Sequence, residues 1–374
     1  MIKITPVTSK KQLSTFIDFP HDLYANDPNY VPELYLAQRD ILTPGKHPFY
    51  EHSSLQCFLA IDETNKVKGR IAAILNNNHN AFNLVNDGFF GFFDCVNEEA
   101  IANSLFAEAE LWLKAKNLST MIGPANPSTN ETVGLLIDGF NEPPVAMMTY
   151  NKPYYITLIE KYGFHKKVDL YAYDIRTDSV NDRAIKLQDA LLKRLEQKGI
   201  NIRTINVKDF KNEVKKATEI YNSAWDKNLG FVPMTKNEFK YLAKEMKNIL
   251  NPDFCLVAEH NGKAVGFALA IPDINQILIK IKRGRLLPTG IFKLLFGLKK
   301  INYYRVIILG VIEEYRKMGI EACFYAKIIK KGIDMKLKGA EGSWILENNE
   351  MMNKALQNIN GKVYKTYRIY EKAL

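Results

Sequence analysis

Leu309-Gly310-Val311-Ile312-Glu313-Glu314-Tyr315-Arg316-Lys317-Met318-Gly319-Ile320 is the stretch whose reading decides the fold. An apolar run over 304–311 has the length and branching of a buried strand. A short turn carrying Arg316 and Lys317 follows. Helical periodicity then begins at Gly319 and continues over 320–336, with Ile320, Cys323, Phe324, Ile328 and Ile329 on one face. A strand that ends in a basic turn and opens a helix at a glycine makes an anion site. The first N–H groups of a helix have no intrahelical acceptor, and the helix dipole adds positive character there. Arg316 and Lys317 add charge, and Gly319 presents no Cβ to an approaching phosphate. The expectation is a pyrophosphate cradle formed by Arg316, Lys317, Met318, Gly319 and Ile320, with Leu309, Gly310 and Val311 as the strand beside it.

Working outward, the order of elements repeats. The second half reads strand 202–207, helices 210–225 and 236–249, a hairpin over 254–271, strand 304–311, helix 320–336, a strand at 343–346, helix 350–359 and a closing strand at 363–370. The first half reads strand 2–7, helix 10–24, a Pro-rich stretch, hairpin 55–75, the aromatic strand 88–95, helix 98–116, strands 120–122 and 145–150, helix 153–162 and strand 168–175. A chain of 374 residues suits two domains of about 150–200 residues each. The divisions expected are an N-terminal domain over 1–178, a helical connector over 179–200 and a C-terminal domain over 201–374.

Arg316 and Gly319, behind an apolar strand ending in Val311, resemble motif A of the GNAT acyltransferases. In that motif an Arg or Gln precedes a Gly by three residues, and a second small residue follows two places later. Here that last position is Glu321, a departure that sets a carboxylate in the first turn of the helix, where it would repel a pyrophosphate if it pointed inward. The resemblance covers most of 200–374. It extends more weakly to the first half through Tyr150-Asn151-Lys152-Pro153-Tyr154-Tyr155 and Tyr162-Gly163-Phe164, where the turn after the aromatic strand (Cys95 to Glu99) has neither Arg nor Gly. It implies an α/β (α+β) fold: tandem GNAT-like domains, each a mixed, mostly antiparallel central sheet flanked by helices. It implies acetyl-CoA or a longer acyl-CoA as cosubstrate, whose pantetheine arm lies between two splayed strands. It also implies an Asn near the end of the second of these strands, so Asn348 and Asn349 join the cofactor set.

Direct acyl transfer to an amine needs a polarised thioester carbonyl, a base for the amine and an acid for the leaving thiolate. Glu347, with Glu313 as a second choice, is the candidate base. Tyr364 and Tyr367 are the candidate acids, because a late Tyr commonly serves in the superfamily. The polar loop with Asn126, Ser128 and Asn130, together with Tyr150 and Tyr154, is a candidate substrate pocket.

Composition limits the alternatives. At 47% hydrophobic and 25% charged, the chain has the makings of two cores. The most apolar stretch, 286–298, is broken by Pro288, Gly290, Lys293 and Gly297, short of the ~20 residues that span a bilayer. Residues 1–6 lack an apolar signal core, so the expected compartment is the cytoplasm. Cys57, Cys95, Cys255 and Cys323 are spaced too far apart for a metal pattern and read as buried thiols, and no metal is expected. The net charge is +10. Cations interleaved with Leu286, Leu287, Ile291, Phe292, Leu294, Leu295 and Phe296 point to membrane-surface contact through 279–300. The expected acceptor is a small-molecule or lipid-like amine. Two other readings stay open: a tRNA-dependent aminoacyltransferase of the cell-wall peptide kind, and a non-catalytic binding module.

Overall fold

The structure, a computed structural model, describes residues 2–180, 182–224 and 231–374, without the side chains of 182–188. The chain divides into two compact units. The first comprises 1–170, 275–297 and 365–374. The second comprises 171–274 and 298–364. This division is not the linear one expected from the sequence. Segment 275–297 and the end of the last strand belong with the first unit, and the connector helix belongs with the second.

In the first unit, β1 (Lys3–Pro6), α1 (Lys10–Leu23) and α2 (Tyr35–Ile41) precede β2 (Ser54–Ile61), β3 (Val67–Leu75), α3 (Asn77–Asn83), β4 (Asp87–Cys95) and α4 (Glu99–Lys114). Then come β5 (Thr120–Gly123), β6 (Ala125–Asn126), β7 (Thr132–Val133), β8 (Leu135–Asp138), α5 (Tyr155–Lys161) and β9 (His165–Arg176), whose second half enters the second unit. Ser9 and Gln12 form a reciprocal capping box that starts α1. β1 to β4 run antiparallel in order, and β4 pairs parallel with β5. The core is strongly aromatic: Phe90, Phe93, Phe106 and Phe164 pack between the sheet and α4.

The stretch 145–150 is not a strand, contrary to expectation. The Asn151 side chain occupies that place in the ladder instead. Its Oδ1 accepts from the Leu136 N–H (2.7 Å) and its Nδ2 donates to the Leu136 carbonyl (3.1 Å).

The second unit contains α6 (Asp182–Gln197), β10 (Ile200–Thr204), α7 (Phe210–Ala224), α8 (Lys236–Met246), β11 (Cys255–His260) and β12 (Lys263–Pro272). The first-unit insertion follows, with α9 (Asn275–Leu278) and α10 (Gly290–Gly297). The chain then returns with β13 (Tyr303–Val311), α11 (Ile320–Asp334), β14 (Gly339–Leu346), α12 (Glu350–Asn358) and β15 (Lys362–Ala373). The strand order is β9-β14-β13-β12-β11-β10, with β13 and β14 parallel and β10 to β13 antiparallel in turn. The far end of β15 pairs antiparallel with β5, Tyr370 opposite Gly123, so the chain's last strand completes the first unit's sheet.

All four cysteines are buried, and none forms a disulfide. Burial pushes the Cys57 and Cys95 thiols up to about 12 and Cys323 to about 11, values that keep them protonated and unreactive.

Candidate active site

β13 and β14 are in register only over Tyr303–Val306 and Gly339–Gly342. β13 continues five residues to Val311 and β14 four to Leu346. The pairing that joins them stops where the register on the other side of β13 breaks. Ile308 faces Leu269 and Val306 faces Ala270, which leaves Ile307 without a partner in β12. An extra residue of this kind bends a strand and increases its twist. Two parallel strands that part beside such a bulge leave unladdered backbone on their facing edges.

A buried polar cluster holds the vertex of this opening. Arg305 and Glu341 are register partners, 2% and 0% exposed. Arg305 Nε donates to Ser343 Oγ (2.9 Å) and lies 3.7 Å from Glu341 Oε1, and the guanidinium sits 4.7 Å from the centre of the Trp344 ring. Ser343 and Tyr364 both donate to Glu341.

The opening points toward the N-terminus of α11. The turn between β13 and α11 is pinned at three points. Arg316 Nε donates to the Val311 carbonyl (3.3 Å) and Nη2 to the Ala224 carbonyl at the end of α7 (2.7 Å). Tyr315 Oη meets His260 Nδ1 at 2.8 Å. Arg316 therefore positions the turn by bonding carbonyls, which leaves backbone N–H groups as the donors an anion could meet at this helix start. The N–H of Cys323 donates to the Gly319 carbonyl, so Ile320, Glu321 and Ala322 precede the first intrahelical bond.

Gly319 has a reason for being glycine that differs from the expected one. Its φ is +93°, and a Cβ there would lie 2.4 Å from Leu191 of α6 instead of facing a phosphate. Lys317 is exposed and also left-handed, at φ +64°. The Glu321 carboxyl is half-buried, and burial raises it above the usual carboxylate range, with a hydrogen bond from its own backbone N–H and then the Arg316 charge pulling it back. A carboxyl held toward its neutral form weakens the repulsion of an anion at the cradle.

The other predicted site residues are distributed unevenly. Glu347 follows β14 directly and is half-buried. Asn349 caps α12, its side chain accepting from the Met352 N–H (3.2 Å). Asn348 beside it is exposed, as is Glu313 in the turn. Tyr364 donates to Glu341 at the vertex, and Tyr367 is fully buried in the first unit, opposite Leu136.

Asn126, Ser128, Asn130, Tyr150 and Tyr154 all belong to the first unit, where each has a structural partner. Asn126 Oδ1 accepts from the Phe92 N–H (2.6 Å), and Ser128 Oγ accepts from the Asn130 N–H (3.1 Å). Tyr150 donates to Asp27 (3.0 Å), which Lys152 also meets (2.8 Å), and Tyr154 donates to the Cys95 carbonyl (2.8 Å).

The first unit opens its parallel pair in the same way, with β4 and β5 in register only over Asp87–Phe89 and Thr120–Ile122. Its own chain fills that opening. β6 crosses β4 at Gly91, where any Cβ would overlap the Ala125 carbonyl oxygen (1.8 Å), and the Asn126 amide closes the Phe92 N–H.

Sequence reasoning missed two features of the second unit. One is the Arg305–Glu341–Ser343 cluster, whose signal was a lone charge inside each of two apolar strands. The other is an apolar cleft between α7, α8 and the sheet, with a cavity volume of about 50 Å3, lined by Val214, Ala217, Phe239, Leu242, Phe267 and Ile308 among others. Ile308, next to the bulge, belongs both to the cleft wall and to the splayed strand. Among the described residues, no group of three or more His, Cys, Asp or Glu gathers as a metal site.

No family model matches the chain. Among solved structures, it is similar over its whole length to a tandem GNAT protein from the clavulanic acid biosynthesis pathway (TM-score 0.59, 10% identity, 98% of that chain covered). It is also similar to a GCN5-related N-acetyltransferase from Sphaerobacter thermophilus (TM-score 0.54, 12% identity, 95% covered). These likenesses show a tandem GNAT fold. In sequence the chain is 36% identical over 374 residues to Protein YghO of Escherichia coli (strain K12), covering 98% of this chain and 94% of the relative. It is 34% identical over 380 residues to the bacterial ceramide synthase of Caulobacter vibrioides (strain NA1000 / CB15N), covering 100% and 98%. At that identity over nearly full length, the chain belongs to the family that contains YghO and the Caulobacter ceramide synthase, built on a tandem GNAT fold.

Proposed function

We propose that this protein forms an amide by direct transfer of a long acyl group from an acyl-CoA thioester to the amine of a long-chain, sphingoid-type lipid. The observation that carries the reading is the β13–β14 opening with a bulge at its vertex and the α11 N-terminus beyond it. The name of the Caulobacter relative supports the acceptor class, because a ceramide is an N-acylated sphingoid base.

In this reading the backbone N–H groups at the start of α11, with Lys317, hold the pyrophosphate. An unladdered N–H of β13 beyond Ile307 donates to the thioester carbonyl as negative charge develops on its oxygen. The amine lone pair forms the C–N bond, the C–S bond breaks, and the thiolate leaves. Glu347, at the end of β14, takes the proton that the nitrogen sheds. Tyr364 already donates to Glu341, so we assign it to holding the vertex. The acyl chain runs past Ile308 toward the α7–α8 cleft, whose lining is apolar.

The test is an incubation of the purified protein with acetyl-CoA or palmitoyl-CoA and a 2-amino-1,3-diol of long chain, following released thiol and the amide by mass spectrometry. Amide should form from the palmitoyl donor faster than from the acetyl donor. Lys317→Glu, a change on the exposed turn, should weaken CoA binding by about tenfold. Failure to release thiol with either donor would overturn the reading.

A further inference from the structure

The insertion 275–297 has an inverted helix at its tip. In a helix on the surface of a globular unit, the apolar stripe faces the core and polar residues face water. In α10 the glycines face inward. Gly290 and Gly297 lie seven residues apart on one face of the helix. A Cβ at Gly290 would lie 2.9 Å from Ile281, and one at Gly297 would lie 2.7 Å from Ile277. The opposite face carries Phe292, Leu295 and Phe296, at the i, i+3, i+4 spacing of a single stripe. All three are exposed, Phe296 by 74%, and Leu287 just before the helix is 80% exposed.

The base of the insertion is fixed. Arg285 makes a two-pronged pair with Asp18 of α1 (2.7 and 2.9 Å) and lies 4.1 Å from the centre of the Tyr35 ring, while Arg283 pairs with Asp22. A Cβ at Gly284 would overlap the Glu33 carbonyl, and Asn275 Nδ2 donates to the Pro144 carbonyl (2.8 Å). The exposed stripe is therefore held outward by a rigid mount.

Charge identifies what covers it. Lys280, Lys282 and Lys293 are exposed beside the stripe, with Lys293 reaching the Lys280 carbonyl at the edge of the apolar face. No Asp or Glu occurs between Asp273 and Glu313. A twofold pairing of this face with a second copy would set cation against cation with no carboxylate to offset them. An anionic bilayer offers hydrocarbon for the stripe and phosphates for the rim. We propose that the α10 tip docks on an anionic lipid surface, with Leu287, Phe292, Leu295 and Phe296 entering the interface and the lysines among the headgroups. The inference rests on the first unit alone and does not depend on the acyl-transfer reading of the second.

The experiment is flotation of the full chain with phosphatidylcholine vesicles, with and without phosphatidylglycerol. The parent should float with the anionic vesicles, less so as salt rises. The fourfold variant Leu287→Ser, Phe292→Ser, Leu295→Ser, Phe296→Ser should bind on the order of tenfold less, with its melting temperature unchanged because all four positions face water. As a readout that does not depend on this variant, Phe292→Trp should give a blue-shifted emission increment on anionic vesicles. Three results would overturn the proposal: a parent that does not float, a fourfold variant that floats equally well, or a parent dimer that the same substitutions dissociate without any vesicle binding. Thiol release from water-soluble short-chain substrates should be equal in the parent and the fourfold variant. Loss of that activity in the parent would count against the second unit's chemistry and leave the flotation result standing.

Discussion

Glu321 stands in the first turn of α11, where the motif it resembles has a small residue, and in the proposed reading its charge acts directly on the bound phosphates. Burial raises its carboxyl above the ordinary carboxylate value. A group raised in the folded state binds its proton more tightly there. It contributes stability below the unfolded value and loses that contribution as pH rises through the folded one. Ligand binding follows the same sign. As pH rises, the carboxyl ionises beside the bound phosphates and weakens them. Glu321→Gln removes the charge while keeping the shape. We expect it to tighten CoA binding several-fold at pH 8, equivalent to about 1 kcal/mol at water-like screening, and to flatten the pH dependence of affinity between pH 5 and 8. Calorimetric titration across that range decides. A variant that binds more weakly than the parent at every pH would mean that Glu321 supports the site.

Among the elements, the β13–β14 vertex is the part with the greatest mechanical consequence. The opening exists because pairing stops after Val306, and the Arg305–Glu341 pair with Ser343 and Tyr364 fixes the point where it stops. Glu341→Ala leaves a buried guanidinium without its carboxylate, a loss of about 3–5 kcal/mol. Urea unfolding should show that drop, with Glu341→Gln intermediate. A change near zero for the Ala variant would mean that the cluster does not hold the strands. The sequence showed each strand and the lone charge within it, but not that they meet. The partners lie 36 positions apart, and parallel register depends on tertiary packing, not on local pattern. The same limit explains α2 and α3, short helices in polar stretches whose periodicity is weak. It also explains 145–150, an apolar stretch that reads as a strand, although the Asn151 side chain takes the Leu136 backbone bonds there. The strand–turn–helix at 309–320 was legible because its signal is local, although the reason for Gly319 was not, since Leu191 approaches it from a distant helix.

The whole molecule carries two versions of one fold with different fates for the same opening. In the second unit the bulged strand, the splay and the helix N-terminus are all in place. In the first, β6 lies across Gly91 and Asn126 closes the Phe92 N–H, so the equivalent space is filled by protein. The turn after β4 also lacks the Arg and Gly of the motif. In the proposed reading the second unit is the chemical half, while the first unit's outward feature is the mounted α10 tip. This division predicts one CoA site per chain. Calorimetry with CoA should give a stoichiometry near one, and Lys317→Glu should weaken that single event. Asn126→Ala should leave stoichiometry and affinity unchanged while lowering stability by about 1–3 kcal/mol, because it strands a backbone donor. A stoichiometry of two in the parent, or a second event appearing in Asn126→Ala without loss of the first, would show that the first unit's opening is a closed but working site, and the asymmetry would then lie in access instead of architecture.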